Sequence, residues 1–183
     1  GDGSANLILG VEGYNGVGAV VVYLPPITQT FNATNPLLSR ILIENPDSNG
    51  GFGSRIAYAG DLDQDGLADV LTTSPLSDLN GTDSGLVYLF YGISGSGSIS
   101  QVTVSGNAGD HLGSAIASGK DVNGDGVDDL LISASRADYH YVYGGSETDA
   151  GAVYVFHGPI NPNQQSLSSI DADQIIYGDE SFR

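Results

Sequence analysis

The chain repeats itself, and that constrains its fold more than any other feature. Gly51-Phe52-Gly53-Ser54-Arg55-Ile56-Ala57 returns as His111-Leu112-Gly113-Ser114-Ala115-Ile116-Ala117, and each copy runs into a loop dense in aspartate. These loops span Asp61 to Asp69 and Asp121 to Asp129, 60 residues apart. Downstream, Gly85-Leu86-Val87-Tyr88-Leu89-Phe90-Tyr91-Gly92 returns as Gly151-Ala152-Val153-Tyr154-Val155-Phe156-His157-Gly158, with an earlier relative in Gly18-Ala19-Val20-Val21-Val22-Tyr23-Leu24-Pro25. Motifs that recur in one order at a fixed period mark an array of like supersecondary units. The 27 glycines and 10 tyrosines fit many short strands and tight turns.

The repeated segments are short, rich in β-branched and aromatic residues and bounded by Gly or Pro, which predicts strands. Each repeat predicts four: one through Ile56 or Ile116, one after the acidic loop (Val70 to Thr73, Leu130 to Ser133), the Gly-x-Val-Tyr segment, and a closing strand (Ile99 to Val104, Gln174 to Tyr177). Four antiparallel strands in about 60 residues is a propeller-blade pattern. The expected fold is all-β, a partial, open arc of about three β-propeller blades. Residues 1–48 are the later part of a blade, 49–107 and 108–177 complete blades, and 178–183 the start of a further one. Gly1 to Leu9 aligns with Gly124 to Ile132, so the chain is expected to open inside a third acidic loop, with Asp2 and Asn6 at positions 5 and 9. With no methionine and no signal peptide, it reads as a processed form or an excised piece.

Asp61-Leu62-Asp63-Gln64-Asp65-Gly66-Leu67-Ala68-Asp69 carries carboxylates at positions 1, 3, 5 and 9 and glycine at 6. Asp121-Val122-Asn123-Gly124-Asp125-Gly126-Val127-Asp128-Asp129 repeats it with an amide oxygen at position 3. Calcium takes six to eight oxygens at about 2.3–2.6 Å, and alternate positions of a tight loop turn theirs toward one centre. An EF-hand needs a glutamate at position 12 and flanking helices; here position 12 is Thr72 or Ile132 and strand-like residues follow. The pattern is a β-hairpin loop closed by the aspartate at position 9. The competing reading is that the aspartates form Asx-turns without metal, against which four carboxylates in nine residues repel one another.

These segments resemble FG-GAP repeats, the blades of integrin α-subunit propellers and related microbial proteins. Phe52-Gly53 and Leu112-Gly113 match the Phe-Gly element, and Ser74-Pro75 and Ala134-Ser135 stand where Gly-Ala-Pro is usual. The resemblance implies two Ca2+ sites. Their side-chain ligands would be Asp61, Asp63, Asp65 and Asp69, with the Leu67 carbonyl, and Asp121, Asn123, Asp125 and Asp129, with the Val127 carbonyl. It also implies an extracellular or cell-surface segment serving adhesion or protein–protein assembly, with a protein or glycan ligand, other propeller blades or copies of itself as partners. The alternatives are a carbohydrate-binding, lectin-like propeller and the non-catalytic propeller part of a secreted hydrolase.

The net charge of −17, from 22 acidic against 5 basic residues, argues against nucleic acid and anionic membrane as partners. No apolar run reaches the length of a membrane span, so no membrane insertion is expected. The absence of cysteine removes disulfides and thiolate sites. No Gly-x-Ser-x-Gly, His-Glu-x-x-His or Walker loop is present and the chain is not expected to be an enzyme. His111 and His157 read as structural. Asp138 to Gly145 reads as a blade-edge insertion whose tyrosines serve recognition or pack over a neighbouring blade. Pro36 to Asn45 and Asn161 to Ser169 read as inter-strand loops. Asn32-Ala33-Thr34 and Asn80-Gly81-Thr82 fit the glycosylation sequon.

Overall fold

The computed structural model describes residues 6–23, 40–44, 50–92, 100–140 and 146–178. In chain order its strands are β1 (Leu7–Val11), β2 (Ala19–Tyr23), β3 (Arg40–Glu44), β4 (Ile56–Gly60), β5 (Asp69–Ser74), β6 (Leu86–Tyr91), β7 (Ser100–Ser105), β8 (Leu112–Lys120), β9 (Asp129–Ala134), β10 (Tyr139–His140), β11 (Ser146–Glu147), β12 (Ala152–Phe156), β13 (Ser166–Ser168) and β14 (Gln174–Tyr177). Among the described residues the helical content is two single 3-10 turns, Tyr14–Gly16 and Ser169–Asp171.

Three successive sheets form, with orders β1-β2-β3, β13-β7-β6-β5-β4 and β14-β12-β9-β8, and all neighbours are antiparallel except the parallel pair β13 and β7. They are partial propeller blades. The apolar run of β6 is continuous because the strand is buried on both faces and its side chains alternate between two cores. Leu86, Tyr88 and Phe90 join Val20, Val22, Phe52 and Val70 against the first sheet. Val87, Leu89 and Tyr91 join Leu112, Leu130, Ile132, Tyr154 and Phe156 against the third.

The Phe-Gly element seats each sheet on the one before. Phe52 is 1% exposed and meets Tyr88 edge-on, with ring centroids 5.0 Å apart. Its backbone bridges to Gly18 as that of Leu112 bridges to Gly85. Gly85 lies at φ +78, and any Cβ there would strike the Leu112 backbone, so that approach requires glycine.

Two segments read as loops are not wholly so. Arg40–Glu44, inside Pro36 to Asn45, is a full strand, because β2 offers it an open edge and Ile41 and Ile43 pack on the first core. Ser166–Ser168, inside Asn161 to Ser169, is the short parallel strand β13, followed by a 3-10 turn with a Ser168–Asp171 capping box. Ser166–Ser168 has little local strand propensity and is made by tertiary pairing, whereas Ile41-Leu42-Ile43 is a β-favouring run set between Pro36 and Pro46. The insertion begins with β10, which pairs with β11 just beyond it, and the Tyr139 ring packs 4.7 Å from that of Tyr177, on the last strand of the same repeat rather than over a neighbouring blade. Residues 141–145 of the insertion, Ile99 of the expected closing strand, Asp2 of the third loop and the further blade expected after Gly178 lie outside the described residues.

Candidate metal centre

Each acidic loop joins the first strand of its sheet to the second, β4 to β5 and β8 to β9. The loops are built alike. Position 4 is left-handed in both, Gln64 at φ +62 and Gly124 at φ +83, and so is position 6, Gly66 at φ +84 and Gly126 at φ +92. These reversals fold the chain back on the carboxylate at position 1.

In the first loop, the Gly66 N–H donates to Asp61 Oδ2 (3.0 Å), Asp65 N–H to Asp63 Oδ1 (3.3 Å) and Leu67 N–H to Asp65 Oδ1 (2.7 Å). In the second, Asp121 Oδ2 accepts from Gly126 N (2.8 Å), Asn123 Oδ1 from Asp125 N (2.9 Å) and Asp125 Oδ1 from Val127 N (2.8 Å). Position 9 clamps the hairpin. Buried Asp69 accepts Leu62 N–H at 2.7 Å and Gly92 N–H at 2.9 Å. Buried Asp129 accepts Val122 N–H at 2.7 Å and Gly158 N–H at 3.1 Å. Position 9 thereby ties the loop to the end of the third strand of its own sheet.

Asp61, Asp63 and Asp65 converge, each offering an oxygen within 4.8 Å of the others, while Asp69 stands outside that trio. Asp61 Oδ1 is buried and has no hydrogen-bond partner. A buried carboxylate oxygen left unpaired is costly, and a hard cation at the trio's centre would satisfy it. Burial and the charges of Asp65 and Asp61 raise the Asp63 pKa. Burial, with the charges of Asp63 and Asp65, pushes Asp69 up to about 6 despite its two amide donors. Asp121, fully in solvent and held by the Gly126, Gly124 and Asp125 amides, has its pKa lowered.

The two loops differ in setting. Leu62, at position 2 of the first, is wholly buried, and its carbonyl accepts the Ile160 N–H of the third repeat at 2.8 Å. Tyr91 donates its hydroxyl to the Ile160 carbonyl at 3.0 Å, and burial raises its pKa. Val122, at position 2 of the second loop, is 54% exposed. The loops are neighbours: Asp61 and Gln64 share a polar hollow of about 350 Å3 with Gly126, Val127 and Asp128. The recurrence of Gly92 as Gly158 was visible in the sequence, but not its bond to position 9, nor the clamp by Ile160.

His111 sits in a left-handed turn at φ +54 with its N–H on the Asp83 carbonyl, and the His157 N–H donates to Asp173 Oδ2. Of the sequons, Asn80 uses its Nδ2 to hold the Gly106 carbonyl at 2.7 Å; Asn32 is outside the described residues. Asn6 precedes β1 and is half-buried. Among the described residues no helix is long and apolar enough to cross a membrane.

A family profile for the FG-GAP repeat matches residues 52–90 and 112–156, which contain both loops. The mouse phosphatidylinositol-glycan-specific phospholipase D is 29% identical over 99% of this chain and 22% of its own length. Human integrin alpha-11 is 28% identical over 82% of this chain, and the Drosophila melanogaster integrin alpha-PS2 30% identical over 97%; the match covers 12% of each integrin. The chain thus spans less than a quarter of these relatives.

Proposed function

Because this chain carries FG-GAP repeats of the integrin-like propeller type, we propose that it is a calcium-binding propeller segment that acts outside the cell or on its surface, in adhesion or protein–protein assembly. The unpartnered, buried Asp61 Oδ1 amid three convergent carboxylates is the observation that carries the calcium reading. One ion is held by Asp61, Asp63, Asp65 and Asp69 with the Leu67 carbonyl, the other by Asp121, Asn123, Asp125 and Asp129 with the Val127 carbonyl. The ions are structural: they neutralise the loops and close the hairpins, so that binding free energy becomes folding free energy. The repeats divide the chain at 1–48, 49–107, 108–177 and 178–183, as blades of a larger assembly.

Calorimetric titration of metal-stripped protein tests this, with two calcium ions taken up at pH 7.5. The proton on Asp69, whose pKa lies at about 6 without metal, must leave for calcium to enter. Affinity at the first site therefore falls about tenfold per pH unit below that value, one proton competing with one ion. Without metal the sign reverses. A folded pKa above the ordinary carboxylate value makes the folded state the better proton acceptor, so metal-free stability rises as pH falls through about 6 toward the ordinary carboxylate range. Titrations that detect no calcium uptake sink the proposal.

Assembly with further blades is supported by three places in the third repeat that are bare where the second repeat is covered. Val104 is 1% exposed, but Ile176, at the same place beside β12, is 60% exposed. Leu62 is buried and Val122 is not. Thr73 and Val87 lie under Gly113, whereas their counterparts Ser133 and Val153 line an open, apolar cleft with Ile176 and Tyr177. The occupant is a further repeat of the same kind, bringing its own Phe-Gly turn. Light scattering should show that the isolated chain self-associates through this face and that Ile176→Lys reduces the association. A chain that is monomeric at high concentration with either residue speaks against it.

A second reading, the non-catalytic part of a secreted hydrolase, is favoured by the match of nearly this whole chain to the mouse phospholipase D. The parent reading frame separates the two readings.

A further inference from the structure

Asn-Gly steps are the least hindered places for a backbone nitrogen to attack the preceding side-chain amide. Four occur here: Asn15-Gly16, Asn49-Gly50, Asn80-Gly81 and Asn123-Gly124. Asn49 is outside the described residues. The remaining three differ in what holds the glycine N–H. Gly16 donates to the Gly13 carbonyl at 3.0 Å and Gly81 to the Asp78 carbonyl at 3.2 Å. Gly124 donates to a carboxylate, Asp121 Oδ1, at 2.6 Å. The attacking nitrogen must shed its proton, and only there is an anion in contact with it.

The surroundings separate Asn123 from Asn80 but not from Asn15, since Asn15 and Gly16 are also exposed, nothing stands within 4 Å of a Cβ on Gly16, and the Asn15 amide donates to Glu44 Oε1 at 3.0 Å. A side chain at Gly81 would press on Ala108, and Asn80 is tied to the Gly106 carbonyl, so that turn is packed in place. Nothing lies within 4 Å of where a Cβ would stand on Gly124, and Asn123 and Gly124 are both exposed. The Asn123 amide nitrogen, the leaving group, contacts Asp125 Oδ2 at 2.8 Å.

We propose that Asn123-Gly124 is a site of spontaneous covalent modification, at which the Asn123 amide is lost through a cyclic imide. The Gly124 nitrogen bonds to Asn123 Cγ as its proton passes to Asp121. The Cγ–Nδ2 bond breaks, and the amine takes up a proton and departs as ammonia. Water then opens the imide, either to aspartate, which gives this loop the same acid at position 3 that Asp63 supplies in the other, or to an isoaspartyl link that lengthens the loop backbone.

The test is peptide mapping by mass spectrometry of metal-stripped protein aged at neutral pH, with Asn15 and Asn80 as internal references. In the folded protein Asn123 converts on the order of tenfold faster than either, a small part of what a positioned base contributes. In urea the three become alike. Equal rates in the folded protein, or an intact Asn123 beside converted Asn15 or Asn80, overturn the proposal. A calcium arm rests on the function proposed above: an ion that engages Asn123 and Asp121 slows the conversion. If the ranking holds but calcium leaves the rate unchanged, the modification stands and the ligand set of the second loop falls.

Discussion

Removal of calcium with a chelator should lower the melting temperature by roughly 10–20 °C. An ion present at a hundredfold excess over its dissociation constant stabilises by about 2.7 kcal/mol, two such sites by about 5 kcal/mol. In a chain of this size each kcal/mol moves the midpoint by about 2–4 °C. The loss should be unequal between the loops. The first is fastened to the inter-sheet core by Leu62 and to the third repeat by Ile160, so repulsion among Asp61, Asp63 and Asp65 is felt directly by the packing. The second loop is solvent-exposed around Asp121 to Gly126, and its loosening is absorbed locally. Asp63→Ala should therefore take a larger share of the calcium-dependent stability than Asp125→Ala. Scanning calorimetry with and without chelator measures both, and a midpoint indifferent to the chelator rules out structural calcium.

Phe52→Ala should cost about 3–5 kcal/mol, the usual range for emptying a buried aromatic site. Phe52 is the plug between the first two sheets: its ring meets Tyr88 edge-on, and Val20, Val22, Val70 and Phe90 belong to the same core. The surrounding backbone has little freedom to collapse into the void, because Gly18 is locked against the Phe52 carbonyl. Phe52→Leu is the informative control. The next repeat uses Leu112 at the same place, wholly buried, so leucine should cost less than about 1.5 kcal/mol if the two seats are equivalent. Urea unfolding of the two variants decides it; a mild effect of alanine would mean that Phe52 is not what joins the sheets.

The parts of this architecture visible in the sequence were those written twice. The strands of the second and third sheets recur as apolar, β-branched runs, and the loops recur as aspartates at alternate positions, so pattern alone located them. What was invisible depends on partners far away in the chain. β13 has little strand preference and forms because the β7 edge receives it, whereas β3 carries Ile41-Leu42-Ile43, a run legible as strand. Asp69 and Asp129 read as two more ligands, yet each also uses both oxygens to hold backbone amides of its own hairpin and of the strand end beyond it. The asymmetry between Leu62 and Val122 cannot be read locally either, since both are apolar residues at the same loop position and only the neighbouring repeat distinguishes them.

The parallel strand β13 has a bearing on how such arrays lengthen and shorten. Its residues belong in sequence to the third repeat but in hydrogen bonding to the sheet of the second, where Ser166, Leu167 and Ser168 lie along Thr103, Val104 and Ser105. A duplication or deletion whose breakpoints fall at the Phe-Gly motifs would carry this strand away with the repeat after it, baring the β7 edge of a repeat whose own coding was untouched. Gain or loss of a repeat is thus felt one repeat upstream of the breakpoint, and tolerated changes in number should be those that leave a similar connector downstream of every sheet.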